Sequence, residues 1–150
     1  MTPKIPPPLQ TAFWAIIIWA LYKLVPALQF KVSGQTLIAI FFAACGLLLD
    51  LVSVFNFFKA KTTVNPLRPE KASALVVTGF YRFTRNPMYL GMVLVLIGWS
   101  IYLGSPLAII GVVGFVLVMN HIQIKPEEIA MEAQFGQDYL EYKNTVRRWV

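Results

Sequence analysis

The sequence predicts an all-α integral membrane protein with four transmembrane helices, an ordered cytoplasmic loop and cytoplasmic helices at the C-terminal end. Composition supports this fold class, because 57% of the 150 residues are apolar, 13% are charged and the mean hydropathy is +0.64. A soluble domain carries about a quarter charged residues, so too little polar surface remains here for a water-soluble globule. Apolar runs close to the length of a bilayer span, and basic residues clustered between and after them, support it further.

Four apolar runs are the predicted spans of a single membrane domain: residues 11–28, 36–58, 88–103 and 106–124. The first run is too long for the apolar region of a signal peptide, and no small-residue cleavage site follows it, so we expect a retained helix. The proline-rich leader, residues 1–10, predicts an extended arm. The Gly-Ser-Pro sequence at 104–106 predicts a tight turn between the last two spans.

Basic residues set the expected orientation. Of the 13 lysines and arginines, all except Lys23 and Lys31 lie in the loop 59–87, in the tail 125–150 or near the N-terminus. Because cytoplasmic segments carry the excess of basic residues, we expect both termini, the loop and the tail on the cytoplasmic side. Few cysteines and basic inner loops suit a bacterial inner membrane. The topology also explains the net charge of +6, so no nucleic-acid partner is expected.

The loop before the third run brings aromatic and cationic side chains to a predicted helix start. These side chains are Tyr81, Arg82, Arg85 and Tyr89. Pro87 suits the first turn of that helix, where its missing N–H is not needed, and the free N–H groups of the turn can hold an anion. The alternative is that the tyrosines and arginines anchor the helix at the membrane boundary.

The tail opens on Pro126, Glu127 and Glu128. The dipole of a helix start favours carboxylates, which explains the two glutamates without a ligand. Alternatively they grip cationic or hydroxyl groups of a ligand. Further on, an apolar stripe at helical spacing predicts a helix that lies against the membrane surface or the bundle, and Gly136 within it predicts a bend. The stripe consists of Phe135, Tyr139, Tyr142, Val146 and Trp149.

Asp50 is the one charged residue of the second run, and His121 lies near the end of the fourth. Ionisable side chains inside spans are expensive and often functional. Asp50 is either a functional group that reaches a wet cytoplasmic cavity or a neutral, hydrogen-bonded side chain. His121 is either a hydrogen-bonded boundary residue or a base. With one histidine and one cysteine, Cys45, the sequence predicts neither a metal site nor a disulfide.

Two sequence blocks, taken together, resemble a known family. Residues 85–91, Arg-Asn-Pro-Met-Tyr-Leu-Gly, match an R-x-P-x-Y-x-G pattern, and the Thr-Gly-Phe-Tyr-Arg sequence at 78–82 precedes it. The glutamates at 127–128, followed by F-G-x-x-Y-x-x-Y at 135–142, match a second pattern. Over about residues 62–148, the chain resembles the integral-membrane methyltransferases of the isoprenylcysteine carboxyl methyltransferase and phospholipid methyltransferase superfamily.

The resemblance implies S-adenosylmethionine as methyl donor, held in a cytoplasmic pocket built by the loop, the inner ends of the last two spans and the C-terminal helices. It also implies a lipidic acceptor that enters sideways from the bilayer. The implied cofactor-binding residues are Tyr81, Arg85, Asn86, Pro87, Tyr89, Gly91, His121, Glu127 and Glu128. The candidate catalytic residues, taken from the chemistry of the residues themselves, are Arg85, Asp50 and His121. The eukaryotic prenylcysteine enzymes usually have His where Asn86 stands, and they carry more spans.

The chemistry of methyl transfer fits a site with few catalytic groups. Displacement at a sulfonium methyl group needs positioning and desolvation more than acid–base catalysis. A carboxylate or thiolate acceptor needs no base, whereas an amine or thiol must lose a proton to Asp50, His121 or a glutamate. We expect Glu127 or Glu128 to bind the ribose hydroxyls or amino group of the cofactor. Arg85 is expected to bind the cofactor carboxylate or an acidic acceptor.

The acceptor and the oligomeric state are left open by the sequence. A prenylated thiol-carboxylate, a phospholipid amine, a small thiol and another lipid headgroup are all compatible with it. Two other function classes compete. One is a small four-helix multidrug transporter with Asp50 as its coupling carboxylate, although such a protein has little use for the ordered loop and tail. The other is an inactive membrane scaffold, which cofactor binding would distinguish from an enzyme.

Overall fold

The computed structural model describes residues 5–62 and 72–150, and every regular element within these ranges is helical, so the all-α prediction is confirmed. Of the predicted leader and loop, residues 1–4 and 63–71 lie outside the described residues. A π-helical segment, Met119–Ile124, joins the fourth helix to the fifth, and short 3₁₀ turns cover Pro26–Leu28 and Gly79–Arg82. The helices are α1 (Pro7–Leu24), α2 (Gln35–Lys59), α3 (Pro87–Leu103), α4 (Ala108–Val118), α5 (Lys125–Phe135) and α6 (Gln137–Thr145).

The first helix begins and ends earlier than its apolar run predicts. Helix α1 starts at Pro7, so the extended arm predicted for the leader is wrong over residues 7–10. Proline is accepted in the first turn because the N–H groups there have no helical partner. The helix ends at Leu24 because Pro26 disfavours helical geometry at the preceding residue, and Val25 has φ −129° and ψ 73°.

Helices α2 and α3 pack closely through small residues. A Cβ on Gly46 would lie 2.5 Å from the carbonyl oxygen of Gly91, and one on Gly98 would lie 2.7 Å from the carbonyl oxygen of Ala39. These distances are far below van der Waals contact, so only glycine lets the two backbones approach this closely. The resulting pair fixes the C-terminal half of α2, which carries Asp50, against the start of α3.

Helix α1 packs on α3 and α4 and completes the apolar core. Ile18 is fully buried against Gly111 of α4, and the indole of Trp14 lies over Gly114. The indole N–H of Trp99 donates a hydrogen bond of 3.1 Å to the carbonyl oxygen of Ala15. The other fully buried apolar side chains of this core are Leu96, Phe115, Met119 and Ile124.

The turn between α3 and α4 forms where the Gly-Ser-Pro sequence predicts it. Gly104 ends α3 with φ +66°, a left-handed conformation that glycine adopts without strain. Its carbonyl oxygen accepts a hydrogen bond of 2.9 Å from the backbone N–H of Phe30. The buried Gln35 donates to the carbonyl oxygens of Ile101 and Tyr102 at 2.6 and 3.1 Å. The turn before α2 is therefore attached to the end of α3.

Two helical stretches are long and apolar enough to cross a bilayer: Gln35–Lys59 and the continuous Ala108–Phe135. Pro87–Leu103 is apolar but shorter. Large apolar side chains of α2, including Leu37, Phe41, Leu51 and Phe55, are exposed, as expected for a surface that faces lipid. The apolar helices support the assignment of this chain as a membrane protein. The number of spans and their orientation stay predictions.

The tail continues the fourth helix instead of starting a separate one. The chain is helical from Ala108 to Phe135, and the π-helical segment widens the helix just before Pro126, which has no N–H to donate. Gly136, with φ +53°, separates α5 from α6, so the predicted bend is confirmed. The predicted single apolar helix is wrong at its end, because Val146 and Trp149 lie beyond α6.

Candidate functional site

The start of α3 is the point at which distant parts of the chain meet. Asn86 precedes the helix with non-helical geometry, and Pro87 occupies its first turn. The backbone N–H of Arg85 donates to the carbonyl oxygen of Arg147 at 2.9 Å. The side-chain amide of Asn86 donates to the carbonyl oxygen of Arg148 at 2.9 Å. The R-x-P part of the first motif is therefore packed against the segment that follows α6.

A buried ion cluster brings the two motifs together. Arg85 Nη2 donates to Glu128 Oε1 at 2.9 Å, while Arg148 Nε and Nη2 donate to Oε1 and Oε2 at 3.0 and 2.5 Å. The side chains of Arg85 and Glu128 are each 9% exposed. Burial alone would raise the pKa of Glu128, but the hydrogen bonds and charges of the two arginines outweigh it and hold this pKa below its ordinary value.

Glu127, the neighbouring glutamate, has different partners. The hydroxyl of Tyr89 donates to this carboxylate and lies 2.7 Å from Oε1 and 2.9 Å from Oε2. Gln123 Nε2 donates to Oε1 at 2.6 Å. Both donors are buried, and Gln123 is 1% exposed. The structure therefore joins Tyr89 of the first motif to Glu127 of the second through a direct hydrogen bond.

Tyr81 lies close to the acidic groups of the site. Its ring is buried and meets the ring of Phe57 edge to face, with centroids 5.5 Å apart. Its carbonyl oxygen accepts a hydrogen bond of 2.7 Å from the hydroxyl of Tyr142. Burial raises the pKa of Tyr81, and Tyr142 and the carboxylates of Glu127 and Asp50 raise it further. Both carboxylates therefore lie near enough to this phenol to act on it electrostatically.

Asp50 and Gly91 lie directly against each other. A Cβ on Gly91 would collide with the Asp50 carboxylate, whose Cγ would be 2.7 Å away. Asp50 Oδ1 is buried and has no hydrogen-bond partner among the described residues. The structure thus places Asp50 of α2 beside Gly91, the last residue of the R-x-P-x-Y-x-G motif. Gly91 has a packing role here, whatever its role toward a ligand.

His121 lies apart from the other predicted site residues. It is exposed on the π-helical segment, and its Nδ1 is 3.5 Å from Lys125 Nζ. The Tyr89–Glu127 pair involves another side of this segment, where the buried Gln123 donates to Glu127. The predicted role of His121 in a cofactor pocket or as a base stays a prediction.

Sequence reasoning missed four residues of the site: Asn120, Gln123, Arg148 and, as a polar contact, Trp149. The indole N–H of Trp149 donates to Asn120 Oδ1 at 3.1 Å. A sequence signal existed for Gln123, because it stands four residues before Glu127 and side chains at this helical spacing meet. The only sequence signal for Arg148 was its position in a basic tail, and the predicted membrane topology already accounted for the charge of that tail.

The arrangement suits a ligand that is partly cationic. Two carboxylates, those of Asp50 and Glu127, contribute to the raised pKa of the Tyr81 phenol. Carboxylates and aromatic rings both attract a positive charge, more strongly where water is excluded. In the part of the chain that the structure describes, the acidic side chains do not form a group able to hold a metal ion.

Comparison with known sequences defines the class of protein to which this site belongs. The phospholipid methyltransferase family matches residues 35–138, which is more than half of the chain. The chain therefore belongs to the phospholipid methyltransferase family. The predicted superfamily is confirmed.

Individual relatives cover shorter stretches. An uncharacterized protein of Haemophilus influenzae is 48% identical over 63 residues, which are 42% of this chain and 100% of that protein. The protein-S-isoprenylcysteine O-methyltransferase of Saccharomyces cerevisiae is 33% identical over 79 residues, or 53% of this chain. The enzyme of the same name from Xenopus laevis is 35% identical over 72 residues, or 48% of this chain. The matches span 33% and 25% of these two enzymes. No solved structure matches the chain significantly.

Proposed function

We propose that this protein is an S-adenosylmethionine-dependent methyltransferase that acts on a lipidic or small acceptor at the cytoplasmic face of the membrane. Membership of the phospholipid methyltransferase family and similarity to two isoprenylcysteine O-methyltransferases support this reaction class. The observation that carries it is the direct hydrogen bond between Tyr89 and Glu127, which joins the two methyltransferase motifs at one site.

The residues of the site fit this cofactor chemically. When bound, S-adenosylmethionine supplies an electrophilic methyl group on a positively charged sulfur. The carboxylates of Asp50 and Glu127 and the ring of Tyr81 complement a positive charge, and Asp50 Oδ1 is a buried acceptor without a partner among the described residues. Tyr89, Asn86, Pro87 and Gly91 would form the wall of the site at the start of α3. His121 would line it only from the exposed side of the π-helical segment.

The two glutamates and Arg85 receive separate roles in this proposal. Glu127 binds the ribose hydroxyls or the amino group of the cofactor, because its neighbours Tyr89 and Gln123 hold it in one orientation. Glu128 orients Arg85, because both oxygens of Glu128 already accept hydrogen bonds from arginines. Arg85 Nε, buried and without a partner among the described residues, is the donor for the cofactor carboxylate or an acidic acceptor.

Asp50 is the base in this proposal when the acceptor is an amine or a thiol. It lies beside Gly91, at the level of the site, and no ion pair holds it within the described residues. A base accepts a proton only if a lone pair is available, and the buried Oδ1 has one. His121 is the alternative base. A carboxylate acceptor needs neither.

The proposed setting is a bacterial inner membrane with four spans and with both termini, the loop and the tail in the cytoplasm. S-adenosylmethionine is a polar cofactor, so a cytoplasmic site gives it access from water. Exposed apolar side chains along α2 allow a lipidic acceptor to reach the same site from the bilayer. The multidrug-transporter alternative has less support, because the family match covers Asp50, the R-x-P-x-Y-x-G block and both glutamates.

Calorimetric titration of the detergent-purified protein with S-adenosylmethionine and its demethylated product tests the proposal. We expect saturable binding in the micromolar range, weakened about tenfold or more in Glu127→Gln, because the amide has no negative charge and carries a donor NH2 group in place of one acceptor oxygen. Glu132→Gln is the matched control, since this half-exposed glutamate of the same helix pairs with Lys143 instead. If well-folded protein binds neither compound in detergent or in lipid nanodiscs, the proposal is wrong and transport through Asp50 becomes the next hypothesis.

A further inference from the structure

The segment Val146–Trp149, called here the clasp segment, lies across the start of α3. Its first residue is extended, with φ −119° and ψ 131°, so α6 ends before it. Arg147 and Arg148 present their carbonyl oxygens to residues 84–86, as acceptors for the backbone N–H of Arg85 at 2.9 Å and the hydroxyl of Thr84 at 3.1 Å. The clasp segment therefore holds the corner from which α3 begins.

The side chain of Arg148 reaches back from the clasp segment into the buried ion cluster. It donates through both Nε and Nη2 to Glu128, whereas Arg85 donates to this carboxylate through one nitrogen. A two-point contact fixes the plane of a carboxylate, and a one-point contact does not. Arg148 therefore sets the orientation of Glu128, and Glu128 in turn holds Nη2 of the Arg85 guanidinium. Nη1 of Arg85 donates to the carbonyl oxygens of Lys143 and of Val146 in the clasp segment, at 2.9 and 2.5 Å.

The end of the clasp segment is attached to a third element. Trp149 packs against the apolar core, and its indole N–H donates to Asn120 of the π-helical segment. This segment also carries Gln123, which donates to Glu127. The clasp segment thus connects the start of α3, the buried ion cluster and the π-helical segment that orients Glu127.

We infer that Arg148 is a positioning residue of the cofactor site, acting through Glu128 on Arg85. The inference rests on the proposed function, because it assigns a role in S-adenosylmethionine binding. Arg148 is 31% exposed and lies on the outer side of the cluster, whereas Arg85 is 9% exposed and lies on the inner side. Arg148 therefore acts on the ligand through the ion cluster, and the clasp segment assembles the site from elements that are far apart in sequence.

The first arm of the test needs no cofactor. Hydrogen exchange, read by mass spectrometry over peptides covering residues 84–90, is compared among wild type, Arg148→Gln, Arg148→Lys and Arg147→Gln. We expect exchange at the Arg85 amide to be about tenfold faster in Arg148→Gln, because local opening sets the exchange rate. Arg147→Gln is the matched control, since the exposed Arg147 offers only its backbone to this corner. If the Arg85 amide exchanges at the same rate in wild type and in Arg148→Gln, the Arg148 side chain does not hold the clasp segment on the start of α3, and the inference is overturned.

The second arm measures S-adenosylmethionine affinity by calorimetry on the same proteins. We expect Arg148→Gln to weaken binding about tenfold, because Glu128 loses its two-point contact and no longer holds Nη2 of Arg85 in a single orientation. Arg148→Lys keeps the charge and loses the two-point contact, so we expect it to weaken binding nearly as much as Arg148→Gln does. Arg147→Gln binds as wild type. A thermal unfolding curve recorded for each variant separates lost affinity from lost fold.

The two arms distinguish the failure of this inference from the failure of the proposed function. If wild type does not bind S-adenosylmethionine, the proposed function fails and the positioning role fails with it. The hydrogen-exchange measurement still shows whether Arg148 holds the clasp segment on the start of α3. If wild type binds and Arg148→Gln binds equally well with faster exchange, Arg148 has a structural role alone. If Arg148→Lys binds as tightly as wild type, charge alone is sufficient and the two-point positioning role is overturned.

Discussion

At the scale of single residues, two adjacent glutamates have different environments. Successive residues of a helix point about 100° apart, so Glu127 and Glu128 face different elements from one turn. Glu127 accepts hydrogen bonds from Tyr89 and Gln123, whereas Glu128 accepts from Arg85 and Arg148. The helix dipole, which explains both carboxylates equally from the sequence, does not separate their roles.

Replacing Tyr89 by phenylalanine tests the hydrogen bond that joins the two motifs. A hydrogen bond to a charged group contributes about 1.5–3 kcal/mol, so Tyr89→Phe is expected to weaken S-adenosylmethionine binding by about tenfold. Calorimetry at one pH measures the change. Tyr102→Phe, which removes a hydroxyl from an exposed tyrosine at the far end of the same helix, is the control. Unchanged affinity in Tyr89→Phe would contradict the role given to Glu127.

The pKa of Glu128 makes an acid-sensitive contribution to stability. Because the two arginines hold this pKa below its ordinary value of 4.5, folding favours the ionised form. The contribution is complete above that value and is lost as pH falls through the lower pKa of the folded protein. We expect the Tm of wild type to fall more steeply with acid than that of Glu128→Gln, measured in detergent from about pH 7 to about pH 3. Parallel curves would be inconsistent with the ion cluster.

The partners of these residues mark the limit of sequence reasoning. Both motifs were recognisable as short local patterns, and their residues do meet at the start of α3. Arg148 was not assigned a role because its contacts, Glu128 and residues 84–86, are distant in sequence and nothing local indicates them. His121 was assigned a role because it is a lone histidine near a helix end. The direction in which its side chain points depends on the π-helical segment, which shifts the register of the helix.

At the scale of elements, the pairing of α2 with α3 sets the geometry of the site. The apolar runs predicted both helices nearly to the residue. Their crossing was not predicted, because it depends on which glycines face each other. Helix α1 was misplaced at both ends, since its prolines permit a first turn at Pro7 and forbid a continuation through Pro26. Proline acts on the neighbouring backbone, so counting apolar residues does not detect its effect.

Adding one methyl group at Gly91 tests this pairing. Its Cβ would lie 2.7 Å from the Gly46 carbonyl oxygen and would collide with Asp50, so Gly91→Ala is expected to destabilise the protein by about 1–3 kcal/mol. Gly114→Ala is the control, because its Cβ meets the ring of Trp14, a side chain that is able to shift. Thermal unfolding in detergent ranks the two variants. An equal or smaller effect at Gly91 would mean that the helices separate easily.

At the scale of the whole molecule, the orientation of the chain is the main open prediction. In a Cys45→Ser background, Ser33→Cys places a single thiol in the turn before α2, and Asn144→Cys places one on α6. Both positions are exposed. Intact cells treated with a membrane-impermeant maleimide are expected to label position 33 and leave position 144 unlabelled, because basic segments stay in the cytoplasm. Permeabilised cells, in which both positions label, are the control, and the reverse pattern would invert the topology.

The two helices that frame the site differ in length, and this has a consequence for the surrounding lipid. At about 1.5 Å per residue, the 25 residues of α2 extend about 38 Å and the 17 residues of α3 about 26 Å. The hydrocarbon layer is about 30 Å thick, so in the proposed four-span arrangement α2 must tilt and the bilayer must thin beside α3. Such thinning draws the headgroups of the inner leaflet toward the start of α3. The protein would then deform the bilayer around it, so that the polar headgroup of a lipid lies at the depth of the site.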